Sequence, residues 1–298
     1  MKKNSPKSIL TLFLAAIIWG IAFVAQTDAA ETGIGAFTFN GTRFLLGSIA
    51  LIPVIMIFER EKITKSMLKT IVFPASITGT ILFIASSMQQ FGIEMTGSAS
   101  KSSFITGLYM VLVPIFAFVF LRRKISWSVW IGAIVAVIGL YLLSIKQGET
   151  LEWGDALLLI ATIFWASHIL TVDKFIVNAS PLKFSAVQMF VCGTLGIICA
   201  LLFETWDWQA VLDSTGAILY TGLLSSGVAY TCQLIGQKGT TPTVSTMILS
   251  TEAVFGALAG VVFNNEILTS RMVIGCVMMF IGIILAQIEI GPRKQKSA

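Results

Sequence analysis

Charge is scarce in this chain. Acidic and basic residues together make up 12% of its 298 residues, against about 25% in an average soluble domain, too few to coat a core of this size with polar surface. A single histidine, His168, rules out a two-histidine zinc site, and neither HExxH nor a GxxxxGK(S/T) phosphate loop occurs. The paired Asp-rich motifs that hold a magnesium diphosphate are also missing, so membrane-embedded prenyl-transfer and metalloprotease chemistry have no residues to stand on. No metal site and no cofactor are expected. The four cysteines, Cys192, Cys199, Cys232 and Cys276, lie inside apolar runs without CxxC spacing, where a free thiol packs as a small apolar side chain.

What the chain has is length of apolar sequence. Hydrophobic residues reach 56% and the mean hydropathy is +0.88. At roughly 20 residues per membrane helix, the runs at 8–27, 34–57, 70–93, 97–120, 127–146, 153–173, 181–204, 214–237, 243–263 and 270–289 predict ten spans. The first run follows Lys2, Lys3 and Lys7 and resembles a signal peptide. Its Ala15-Ala16-Ile17-Ile18-Trp19-Gly20 recurs as Ala161-Thr162-Ile163-Phe164-Trp165-Ala166 deep in the chain, which makes it a retained helix.

The formal charge of +5 reflects orientation rather than affinity for nucleic acid. With the N-terminus inside, the cytoplasmic segments carry Lys2, Lys3, Lys7, Arg60, Lys62, Lys65, Lys69, Arg122, Arg123, Lys124, Lys174, Lys183, Lys238, Arg293, Lys294 and Lys296, while the outer segments carry only Lys146 and Arg271. Asp28, Glu31, Glu94, Glu149, Glu152, Asp155, Glu204, Asp207, Asp213 and Glu266 fall on the outer side. This is the bias of the positive-inside rule, and it predicts a multi-pass protein of the cytoplasmic membrane with both termini cytoplasmic.

The chain matches itself at an offset of 143 to 146 residues: Trp19 with Trp165, Phe39 with Phe184, Thr78-Gly79 with Thr221-Gly222, Gln90 with Gln233, Tyr109 with Glu252, Gly132 with Gly275 and Gly139 with Gly282. An ordered series at nearly constant offset marks a duplication, with halves at 1–148 and 149–298. Five spans per half is an odd number, so the second half enters the membrane from the opposite side. The expected fold is therefore an all-α integral membrane protein of ten transmembrane helices in two inverted five-helix repeats. Such repeats belong chiefly to secondary transporters, which bind substrate near the midplane and work by alternating access. A channel or a membrane enzyme acting on a lipid-linked substrate is the alternative.

The stretch Thr96-Gly97-Ser98-Ala99-Ser100-Lys101-Ser102-Ser103-Phe104-Ile105-Thr106-Gly107-Leu108-Tyr109-Met110-Val111-Leu112-Val113-Pro114, together with Glu252-Ala253-Val254-Phe255-Gly256-Ala257-Leu258-Ala259-Gly260 and Asn265-Glu266-Ile267-Leu268-Thr269, resembles the signature helices of the EamA family in the drug/metabolite transporter superfamily. The resemblance runs through the whole chain. It implies a carrier of small metabolites, amino acids or related polar or amphiphilic compounds, often exported. Two positions depart from the pattern: Arg123 stands opposite Glu266, and Ala257 opposite Pro114.

A charge near the bilayer centre costs about 2.5–3.5 kcal/mol on insertion scales, so each such residue needs a reason. Glu252 is the one acidic residue placed in the interior of a span, and it is the candidate for substrate binding or for coupling to a proton or other ion. Arg43 suits a carboxylate or phosphate, or a structural ion pair with Glu252. Lys101 lies near the outer end of the fourth span, and His168 shares a face with Trp165. The duplicated Trp19 and Trp165 suit an aromatic pocket wall. Gln90, Tyr109, Tyr230 and Gln233 complete the candidate binding residues, with bonding between helices as their alternative role. Oligomeric state is left open.

The charge bias carries a prediction. Cysteines introduced at Glu149 and Asp207 label with impermeant reagents from outside the cell, and one at Lys65 does not; labelling at position 65 would reverse the orientation.

Overall fold

The computed structural model describes residues 5–59, 67–145, 152–263, 267 and 269–287. These residues form ten long helical segments, α1 (Pro6–Glu31), α2 (Ala36–Phe58), α3 (Leu68–Thr96), α4 (Ala99–Val119), α5 (Trp127–Ser144), α6 (Trp153–Asn178), α7 (Pro181–Phe203), α8 (Thr215–Gly239), α9 (Pro242–Phe263) and α10 (Ser270–Gln287), and one short helix, Trp208–Asp213, between α7 and α8. Among the described residues, α1 to α9 are each long and apolar enough to cross a membrane, and α10 is an apolar helix of slightly shorter span. The expected spans correspond to these segments with edges moved by a few residues.

Local chemistry explains several starts. Ser5-Pro6, Ser180-Pro181 and Thr241-Pro242 each place a hydroxyl at the N-cap and a proline at the first helical position. The hydroxyls accept from the backbone N–H of Ser8, Lys183 and Val244, and proline gives up an N–H that has no partner there. Helix α2 lacks such a cap and is capped from a distance. Glu204, at the end of α7, accepts from Phe37 N at 2.8 Å and Thr38 N at 2.9 Å, which places a carboxylate at the positive end of a helix. Helix α3 stops at Gly97, whose φ of 58° is the left-handed conformation that glycine adopts without strain.

The segregation of side chains is inverted relative to a soluble protein. Asn40, Gln90, His168 and Gln188 are buried, whereas Ile52, Met56, Phe58, Leu201, Leu202 and Phe203 are exposed. Apolar atoms outside and hydrogen-bonded polar atoms inside is the arrangement lipid demands.

Helix α3 opens with a π-helical turn at Leu68–Val72 and α6 closes with a 3-10 turn at Ile176–Asn178; α4, α8 and α9 are irregular in their interiors. In α4 the α-helical run breaks at Leu108, and in α9 at Ser250 and Thr251. The bonding around the two breaks is the same: Leu108 N donates to Ile105 O at 3.2 Å and Thr251 N to Ile248 O at 3.1 Å, while Val111 N donates to Leu108 O and Val254 N to Thr251 O, both at 2.9 Å. Every residue in the second set lies 143 positions after its match in the first. Helix α8 widens to π-helical bonding over Tyr220–Ala229, with no such widening at the corresponding place in α3.

Helices α5 and α10 pack with their backbones in contact. A Cβ on Gly132 would lie 2.5 Å from Gly282 O, and one on Gly139 would lie 2.6 Å from Gly275 O, so residue numbers run in opposite directions along the pair. Adding 143 to 132 and 139 gives 275 and 282, so the two contacts are images of each other. Helices α2 and α7 behave likewise: Ser48 Oγ donates to Ala186 O at 2.9 Å, and its image at an offset of 145 is the close approach of Gly193 to Gly41 O.

Close packing of this kind tolerates no added atoms. Gly282→Leu is expected to destabilise the protein by about 1–3 kcal/mol, the usual range for overpacking, read as a lowered melting temperature in detergent. Gly216→Ala is the control, because nothing lies within 4 Å of a Cβ there, and it leaves the melt unchanged.

Candidate functional site

A cavity of about 40 Å³ lies among α1, α2, α3, α4, α6, α8 and α9. Seven of the ten residues singled out in the sequence line it: Trp19, Arg43, Tyr109, Trp165, Tyr230, Gln233 and Glu252. The volume has room for a few water molecules and not for an organic metabolite. A substrate therefore fits only when the surrounding helices part.

The breaks in α4 and α9 set the centre of this site. Each break sits one residue before the side chain that matters, Tyr109 in one half and its counterpart Glu252 in the other. Tyr109 Oη donates to Glu252 Oε1 at 3.1 Å, and both groups are buried. An irregular turn places a side chain where a continuous helix would carry it around the axis, and it is tolerated at this depth because it lines a protein interior. Helix α1 approaches this point closely, since a Cβ on Gly20 would lie 2.6 Å from Glu252 O.

Aromatic rings form a second wall. The Trp19 and Tyr230 ring centroids are 4.8 Å apart at 64°, and those of Trp165 and Tyr230 are 6.3 Å apart and stacked. Tyr230 stands between the two duplicated tryptophans, and Trp19 Nε1 donates to Ser225 O, within the widened part of α8, at 3.3 Å. Edge and face contacts of this kind are favourable beyond the area they bury.

Arg43 and Glu252 do not pair with each other. Arg43 Nε donates to Asn40 Oδ1 at 2.9 Å, Asn40 Nδ2 donates to Ser86 O at 3.0 Å, and the guanidinium carbon lies 5.2 Å from the Phe39 ring centroid and 4.7 Å from that of Phe44. The expected structural ion pair is replaced by a hydrogen-bonded amide and two aromatic faces, and the guanidinium reaches the cavity. Around the same cavity, Gln26 Oε1, Thr106 Oγ1, Trp165 Nε1 and Gln233 Oε1 are buried with no hydrogen-bond partner. Buried polar atoms are normally satisfied, so this lining offers donors and acceptors to a ligand.

The other three candidates lie elsewhere. Gln90 Nε2 donates to Gln26 O at 3.3 Å and ties α3 to α1. His168 is fully buried beside Trp165, with Nε2 3.3 Å from Gln188 Oε1. Lys101 forms an ion pair with Asp155 at 2.9 Å. Gln26, Gln89 and Thr106 line the cavity without having been singled out. Gln26 carried a signal, standing seven residues after Trp19 on the same face of an otherwise apolar helix. Among the described residues no group of three His, Cys, Asp or Glu side chains is placed to hold a metal ion.

The model of the EamA-like transporter family matches residues 6–145 and 152–287. The chain belongs to that family. It is 26% identical to an uncharacterized transporter of Archaeoglobus fulgidus over 94% of this chain and 86% of that protein, and 24% identical to the transporter YwfM of Bacillus subtilis over 97% and 96%. It is also 22% identical to an S-adenosylmethionine uptake transporter of Rickettsia bellii, over 72% of this chain and 74% of that one. A solved crystal structure shares the fold with a TM-score of 0.76 at 17% identity, covering 94% of this chain and 96% of the other. The protein is thus a multi-pass membrane transporter of small molecules and not an enzyme.

For the transporter, the Tyr109 to Glu252 bond predicts a coupled loss. Tyr109→Phe removes a donor from a buried carboxyl group, a change that costs about 1–3 kcal/mol, read by denaturation in detergent. Glu252→Gln costs less in the Tyr109→Phe background than alone; full additivity in that double-mutant cycle would show that the two groups do not interact.

Proposed function

We propose that this EamA-family protein carries small polar or amphiphilic metabolites outward across the cytoplasmic membrane by alternating access, with both termini cytoplasmic and the halves 1–148 and 149–298 related as inverted repeats. The observation that carries the reading is the pair of matched helix breaks, beside which counterpart residues Tyr109 and Glu252 meet at a small cavity. Transporters of inverted-repeat design bind substrate at such discontinuities between halves. The antiparallel contacts of α5 with α10 and of α2 with α7, each mapped onto its image by the repeat offset, support the inversion. The acidic and basic loop bias supports the orientation.

The lining favours a substrate bearing both charges on a partly apolar frame. Arg43 supplies a planar donor edge that fits a carboxylate, Glu252 and the amide oxygens of Gln26 and Gln233 accept from an ammonium group, and Trp19, Trp165 and Tyr230 give apolar contact. Amino acids and related compounds have this form. S-adenosylmethionine, named for the Rickettsia relative, carries an amino-carboxylate and an aromatic base on one molecule. That relative is named for uptake, so outward movement rests on the family resemblance and is tested in both directions.

The test is a panel of radiolabelled metabolites, S-adenosylmethionine and amino acids first, in proteoliposomes with and without a pH gradient. Glu252→Gln keeps the shape of the side chain and removes its charge. In a proton-coupled carrier it retains substrate exchange and loses gradient-driven accumulation; in a carrier that uses Glu252 to hold a cationic group it loses both. Wild-type binding, exchange and accumulation together would sink the role given to Glu252.

A further inference from the structure

Helices α4 and α6 belong to different halves and run in the same direction along a common seam. Lys101 in the first turn of α4 meets Asp155 in the first turn of α6 at 2.9 Å, Thr162 Oγ1 donates to Ile105 O further along at 3.0 Å, and Arg123, just past the end of α4, meets Asp173 at 2.9 Å. Between the two ion pairs, Thr106 and Tyr109 of α4 and Trp165 and Ile169 of α6 face the cavity. The seam is therefore one wall of the substrate site, fastened at both ends.

The fastenings differ in kind. Arg123 is 45% exposed, so water already surrounds one partner, and pairs of that type separate at little cost. Lys101 and Asp155 are 8% and 2% exposed. Asp155 belongs where it is, since its Oδ2 accepts from Glu152 N at 2.7 Å and a carboxylate suits a helix N-terminus. Lys101 does not, because a cation in the first turn opposes the helix dipole, and the carboxylate facing it accounts for its position. Pulling such a pair apart without water is expensive, because the attraction is strong in a low dielectric and each charge is left unsolvated; letting water follow removes most of that cost. Parting of the buried pair is therefore tied to the entry of water. At the repeat offsets of 143 and 146, the counterparts of Lys101 and Asp155 are Val244 and Ile9, so the equivalent seam between α9 and α1 has an apolar pair at the place where this one has charges.

We propose that Lys101 and Asp155 form the outer latch of the transporter: the cavity opens to the outside when this pair parts and hydrates, and the inner side, with no buried ion pair at the matching place, opens more readily. The resting carrier accordingly faces inward. This rests on reading the chain as an alternating-access carrier with its acidic loops outside.

The test needs no substrate. In protein whose four native cysteines are replaced, Thr106→Cys places a thiol on the cavity wall, and its rate of reaction with an impermeant methanethiosulfonate is measured from each side in right-side-out and inverted vesicles. The double variant Lys101→Met with Asp155→Asn removes both charges while keeping a side chain able to cap α6. It raises labelling from the outside about tenfold, the population shift given by about 1.4 kcal/mol, and lowers labelling from the inside. Asp155→Glu, which keeps the pair, labels as the parent does. Unchanged outside labelling in a monodisperse double variant overturns the latch. An equal rise from both sides also overturns it, because that reports a loosened fold. A thiol at position 106 that reacts from the outside and never from the inside, in parent and variants alike, refutes alternating access itself, while the outside rate still decides whether the pair closes that entrance.

Discussion

A carboxyl group buried among apolar helices has to find a donor, and for Glu252 that donor is Tyr109, one residue past the break in α4 as Glu252 is one residue past the break in α9. Much of the interior is arranged around this bond. Both helices break one residue before the side chain that makes it, α1 comes close enough that only glycine fits at position 20, and Trp19, Tyr230 and Trp165 form an aromatic wall of the same cavity. In water such a bond would be a minor stabiliser; away from water, an unsatisfied carboxyl group is among the more expensive defects a fold can carry.

The halves have kept their framework and diverged in their charges. Gly132, Gly139, Gly275 and Gly282 still serve one symmetric contact, and the two helix breaks still carry matching backbone bonds. At the position of Arg43 the second half has Gln188, held by His168 rather than by an asparagine. The site therefore receives a guanidinium from one side and a carboxyl group from the other. A duplicated scaffold with unlike linings can bind a molecule whose two ends differ.

The spans were legible because lipid imposes a length on each apolar run, and the glycines of the contact between α5 and α10 stood out because Gly132 and Gly139 recur at a constant offset as Gly275 and Gly282. Seven cavity residues were legible for related reasons: a polar group inside an apolar helix, or a ring repeated in both halves, stands out against its surroundings. The breaks in α4 and α9 were not, since Leu108, Ser250 and Thr251 are ordinary residues in a helix and the irregularity arises from tertiary packing. The depth of Lys101 is visible in the sequence and its partner, Asp155, is not. Asp155 lies in the next half of the chain, in what the sequence presents as an outer segment, and only the folded seam joins them. Thr106 has no polar counterpart to draw attention to it, since the residue 143 positions on is Leu249.

The backbone contact between α5 and α10 bears on how the protein is made. Gly132 and Gly139 leave the ribosome well before the carbonyls of Gly275 and Gly282 that they pack against, which are on α10. Until that helix enters the bilayer, the first half presents a bare glycine strip to lipid, with no side chain to cover its backbone. A chain without α10 keeps its other helices and still lacks this closure.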